Sequence, residues 1–146
     1  MTDEPRLTLP TFRLLAATVA AAVLVVAAWA AVGLAVHRSG LYGWVAGLAG
    51  AVTIVTGGLA NLVTLPWIPR PASTAGLAWV AASLLRFVAA AACGILLYSV
   101  PPSGWSEDLA VAKAPFMFAV ATGFLLAMLL EVAVIARHVT RAASPR

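Results

Sequence analysis

Charge is what this chain has least of. Only 10% of its 146 residues are Asp, Glu, Lys or Arg, against 63% hydrophobic, and the mean hydropathy is +1.02. A soluble domain is about one quarter charged and about half apolar. Polar surface is therefore too scarce to cover a water-soluble globule of this length, and the composition points to lipid. Acids are the scarcest charged residues, five in all, and no run of them suits a divalent-metal cage. Cysteine is nearly absent: Cys93 stands alone inside an apolar run. An internal disulfide is excluded, a zinc site is unsupported, and Cys93 reads as a small core residue. The histidines, His37 and His138, fall at opposite ends of apolar segments, which argues against paired haem ligation. There is no Walker motif, dinucleotide fingerprint or nucleophile–base arrangement. Ser83 and Thr56 sit within apolar segments with no histidine at their depth, and such hydroxyls usually bond back to their own backbone. No enzyme activity, cofactor or metal site is expected. The net charge of +4 and isoelectric point near 10.2 would raise nucleic acid as a partner of a soluble protein. Here the basic residues are scattered, with no aromatic interleaving, and nucleic acid is set aside.

Long apolar runs fill the rest. A spanning helix needs about 20 apolar residues, and four segments qualify: 14–36, 44–65, 77–100 and 114–136. A segment 1–13 precedes them and a basic tail 137–146 follows. The breaks are polar or rich in proline: His37-Arg38-Ser39-Gly40, Pro66-Trp67-Ile68-Pro69-Arg70-Pro71, and Pro101-Pro102-Ser103-Gly104 followed by Glu107 and Asp108. Proline denies the backbone a helical hydrogen bond but suits a helix start, so Pro10 and Pro115 are expected at the starts of the first and fourth helices. Short links imply antiparallel neighbours. The expected fold is all-α, an integral membrane four-helix up-down bundle. A cleaved signal peptide is the competing reading of the first run, with Ala28-Trp29-Ala30 as cleavage pattern. Its 23-residue length exceeds the apolar region of such peptides.

Basic residues outside the spans set orientation. Arg6, Arg13, Arg70, Arg137, Arg141 and Arg146 share one side, and Arg38 and Lys113 the other. Both termini are expected in the cytoplasm. Trp44, Trp67, Trp79 and Trp105 fall near span ends, as an aromatic belt would place them.

Three polar residues stand out inside the spans. Counted from the cytoplasmic face, Arg86 lies about 14 Å deep and Glu131 about 8 Å. Two long side chains can bridge that offset, so an Arg86–Glu131 pair is one reading of the two charges. Alternatively Arg86 snorkels or anchors a partner's carboxylate, and Glu131 meets Arg137 or headgroups. Asn61 lies at a similar level and needs a partner across helices. Asn61, Arg86 and Glu131 thus form a candidate polar layer, a structural clasp or a contact site for an ion or partner. The second span is dense in glycine, with Gly43, Gly47, Gly50, Gly57 and Gly58. The Gly43-x-x-x-Gly47 spacing lets helices approach closely, within the bundle or against another subunit.

Gly57-Gly58-Leu59-Ala60-Asn61 leading to Arg70, and Leu84-Leu85-Arg86-Phe87-Val88, resemble the second and third spans of the ATP synthase protein I family. That family has four spans with both termini inside, and the resemblance implies the plasma (inner) membrane of a bacterium. The chain departs from it at Ser83, where relatives often carry an acid, and at Ala60, often proline. The resemblance implies a non-enzymatic accessory role in assembling the c-subunit ring of an F-type ATP synthase, and a role in Mg²⁺ or Ca²⁺ supply has also been suggested for the family. Against such a ring, the depth of Arg86 suggests a transient pairing with the ring's ion-carrying carboxylate. A small transporter or channel, or a structural subunit of another membrane complex, are the alternatives.

Overall fold

The computed structural model describes residues 6–37, 40–65, 68–100 and 109–143. Arg38, Pro66, Trp67, Pro101, Pro102, Ser103, Gly104, Trp105, Glu107, Asp108 and Arg146 lie outside the described residues, as does the side chain of His37.

The fold is all-α. Helix α1 spans Thr11–Val32 and runs into a wider π turn, Gly33–His37. Helix α2 spans Gly40–Leu62, α3 Ala72–Ser99 and α4 Leu109–Ala143. All four are long and apolar enough to cross a membrane.

Local chemistry explains most of the boundaries. Pro10 precedes α1, and its carbonyl accepts from the Arg13 and Leu14 amides at 2.9 and 3.0 Å. Past Leu62 the chain tightens into a turn, with Val63 N–H on Ala60 O at 3.2 Å and Thr64 N–H on Asn61 O at 3.1 Å. Helix α3 stops at Val100, whose backbone turns to φ −125° and ψ 79°. The next residue is Pro101, and proline disfavours helical backbone before it. The start of α4 corrects the expectation for Pro115. The helix begins at Leu109, so Pro115 lies inside it as the seventh residue. Its missing N–H therefore leaves one carbonyl of the preceding turn without its helical partner.

Contacts between the helices order the neighbours. Along α1 and α2, Gly33 meets Tyr42, Gly50 meets Val26 and Gly57 meets Thr18, and the Thr11 hydroxyl donates to the Thr64 carbonyl. Along α3 and α4, Lys113 lies over the Tyr98 ring at 4.5 Å, and the Phe87 and Phe124 rings meet edge-on at 5.7 Å. Rising numbers on one helix match falling numbers on its neighbour, so each pair runs antiparallel. Helix α2 is central: 56% of its apolar window is buried, against 22–28% for the others. The core is Val25 of α1, Val45, Ala49 and Val52 of α2, and Phe116, Ala119 and Val120 of α4. Helix α3 adds only the half-buried Cys93 and Leu97 to it.

One feature has no precursor in hydropathy. Arg6–Leu7 (β1) pairs antiparallel with Arg70–Pro71 (β2), Arg6 opposite Pro71 and Leu7 opposite Arg70. This two-residue ladder ties the N-terminal segment to the link between α2 and α3.

Large apolar side chains also cover the outside of the bundle. Phe12, Leu34, Leu77, Phe118 and Leu129 are all largely exposed, a surface that water would not tolerate on this scale.

Candidate functional site: a four-helix polar layer

Each helix contributes one side chain to a polar layer. Arg86 stands midway along α3 and Glu131 in the second half of α4. Their contact is bidentate: Nη1 donates to Oε2 at 2.7 Å and Nη2 to Oε1 at 2.7 Å. Parallel bonds of this kind fix orientation as well as charge. Thr18 of α1 donates to Glu131 Oε1 at 2.7 Å. Its oxygen also lies 3.1 Å from Leu14 O, but a hydroxyl has one proton, and the carboxylate is the shorter and stronger acceptor. Asn61 Nδ2 of α2 donates to Thr18 Oγ1 at 3.4 Å, closing the chain Asn61–Thr18–Glu131–Arg86. All four residues are at most 5% exposed.

The candidate layer of Asn61, Arg86 and Glu131 is thus brought together, and of the readings for its charges the Arg86–Glu131 pair is the one present. Glu131 is not directed at Arg137, nor does Arg86 snorkel. Thr18 was missed. It is the only hydroxyl in the first half of α1 past the opening turn, and a depth count from the same face would have placed it with the others.

The charges cancel, one cation against one anion, as burial in hydrocarbon demands. Glu131 accepts three hydrogen bonds. Arg86 Nε is buried without a partner, and the gap beside it, lined by Thr53, Thr56 and Phe124 among others, is too narrow for a water molecule. Thr53 and Thr56 donate to their own helix at Ala49 O (2.9 Å) and Val52 O (2.7 Å), and Ser83 to Trp79 O (3.0 Å). The arrangement can lock four helices in register.

The glycines divide into two groups. A methyl on Gly57 would overlap the Thr18 side chain, and one on Gly50 would overlap Val26. These two pack inside the bundle. Gly43, Gly47 and Gly58 have nothing near enough to meet a methyl, so they do not serve packing within the chain. Gly43 and Gly47 instead line a shallow, open groove on the surface of α2 with Trp44 and Leu48. Two further glycines go unannounced in the sequence: Gly33 lies against Tyr42 and Gly123 against Thr53.

Among the described residues, no three His, Cys, Asp or Glu side chains gather as metal ligands. His138 Nε2 lies 3.1 Å from Thr8 O. Comparisons with family models, curated proteins and solved structures return no match.

Proposed function

We propose that this is a non-enzymatic, multi-pass protein of a bacterial plasma membrane, with both termini cytoplasmic, that acts through helix contacts as an accessory protein of a membrane complex. The observation that carries the reading is how the polar groups are used. Arg86, Glu131, Thr18 and Asn61 satisfy one another inside the bundle, which leaves an apolar exterior and the Gly43–Gly47 groove facing outward.

The partner we propose is the c-subunit ring of an F-type ATP synthase during assembly. Its support is the resemblance carried by Gly57–Asn61 and Leu84–Val88. Since Glu131 already holds both terminal nitrogens of Arg86, pairing of Arg86 with a ring carboxylate is not carried forward. The docking edge is instead the open side of α2, where Gly43 and Gly47 let a helical hairpin approach closely.

The test is co-expression of the full chain with the synthase membrane subunits. Co-purification with subunit c, and a several-fold loss of assembled ring in Gly43→Leu/Gly47→Leu, are expected. An unchanged ring yield without co-purification would overturn the partner. Ion flux in liposomes holding this protein alone would replace the reading with a transporter.

A further inference from the structure

One end of the molecule gathers positive charge. The β1–β2 ladder holds Arg6 beside Arg70, Arg13 lies in the first turn of α1, and Arg137 and Arg141 end α4. The Thr11–Thr64 and His138–Thr8 hydrogen bonds tie these pieces together. Arg70 uses Nη2 on the Val63 carbonyl at 3.1 Å. Among the described residues the only acid is Glu131, and Arg86 holds it; Asp3 and Glu4 lie outside the described residues. Lys113, at the other end, is over Tyr98.

Within this collar is a hollow of about 340 Å³ lined by Leu9, Pro10, Thr11, Phe12, Arg13 and His138. Phe12 is 79% exposed next to Arg13. A cation and an unpartnered aromatic ring side by side match a molecule that is anionic at one end and apolar at the other. Free phosphate would leave Phe12 in water, and a nucleic-acid strand would meet no stacking row.

We propose that this hollow binds an anionic phospholipid, with Arg13 on the phosphate and Phe12 along the first carbons of an acyl chain. The proposal rests on the membrane reading above and not on the synthase partner. Arg6, Arg137 and Arg141 add long-range attraction, and Arg13 supplies the contact.

Native mass spectrometry of the full chain in detergent tests it, with phosphatidylglycerol and phosphatidylcholine of identical acyl chains as probes. Several-fold preferential retention of phosphatidylglycerol is expected. Arg13→Gln should reduce that retention about fivefold and leave phosphatidylcholine unchanged, while Lys113→Gln should change neither. Phe12→Ser should weaken both lipids, and millimolar inorganic phosphate should not compete. Equal uptake of the two lipids, equal loss in the Arg13 and Lys113 variants, or full competition by phosphate would each overturn the site. The measurement uses no synthase subunit, so its failure leaves the assembly reading standing. Failure of the membrane reading would show separately, as a chain that stays monodisperse without detergent.

Discussion

Two neighbouring strips of α2, within about 80° of each other around its axis, use the same residue type for opposite ends. On the packed side, Gly57 and Gly50 have no room for a side chain because α1 lies directly against them. On the open side, Gly43 and Gly47 have room for a methyl and carry none. Without hydrophobic drive between helices in lipid, association depends on close fit and interhelical hydrogen bonds. The packed side has both, since Gly57 touches Thr18, and Thr18 is the residue that hands Asn61 on to Glu131. The open side has only the means for close fit, and its partner would have to come from outside the chain.

The strongest way to break the packed side is to unpair its charge. Glu131→Leu leaves the Arg86 guanidinium buried without its anion and should cost about 3–5 kcal/mol. The double variant Arg86→Met/Glu131→Leu should recover most of that loss, because replacing a buried pair by apolar residues is often neutral or better. Unfolding in mixed micelles with increasing SDS measures both. Equal destabilisation in the single and double variants would mean that the pair does not act as a unit.

Next in size is Gly57→Ala, expected to cost about 1–3 kcal/mol as an overpacked site. Thr18 has no easy escape, being branched at Cβ and held by Glu131 on its other side. Thr18→Ser removes the methyl and keeps the hydroxyl, so Gly57→Ala/Thr18→Ser should restore stability. If the serine does not help, the clash lies elsewhere. Thr18→Val makes the complementary change: it keeps the shape and deletes the hydrogen bonds. About 1 kcal/mol is expected from the range seen for interhelical bonds in membranes.

How much of this could be read in advance depends on whether the feature has a one-dimensional signature. Four apolar runs divided by proline and charge are a pattern along the chain, and a helix occupies each, with α2 ending at Leu62 where the run continues to Leu65. Arg86 and Glu131 could be matched because depth follows from counting 1.5 Å per residue. Rotation about the helix axis is harder in an alanine-rich span, where no polar stripe marks a face. That is why Gly57 and Gly58, adjacent in sequence, could not be told apart, although one is packed and the other open. Thr18 was hidden for a related reason: a membrane threonine usually bonds its own helix, and only a neighbour at the right angle draws its proton away. The β1–β2 ladder is shorter than any periodicity can register. Pro115 misled because proline favours a helix start without requiring one, and six residues precede it in α4.

The smallest expected effect bears most directly on the comparison. Gly47→Ala adds a methyl where nothing lies within 4 Å, and alanine is the better helix former by roughly 0.5–1 kcal/mol. SDS unfolding of the isolated chain should therefore be unchanged or slightly later. Gly57→Ala, the same chemical change ten residues along the same helix, should come apart earlier. A loss in Gly47→Ala comparable to that in Gly57→Ala would show that the open side is covered in the isolated protein, and a concentration-dependent loss would identify a second copy as the cover. If the isolated chain is indifferent, any defect of Gly47→Leu in cells must arise from a partner. Folding and binding are then separated on one helix, each with its own glycine.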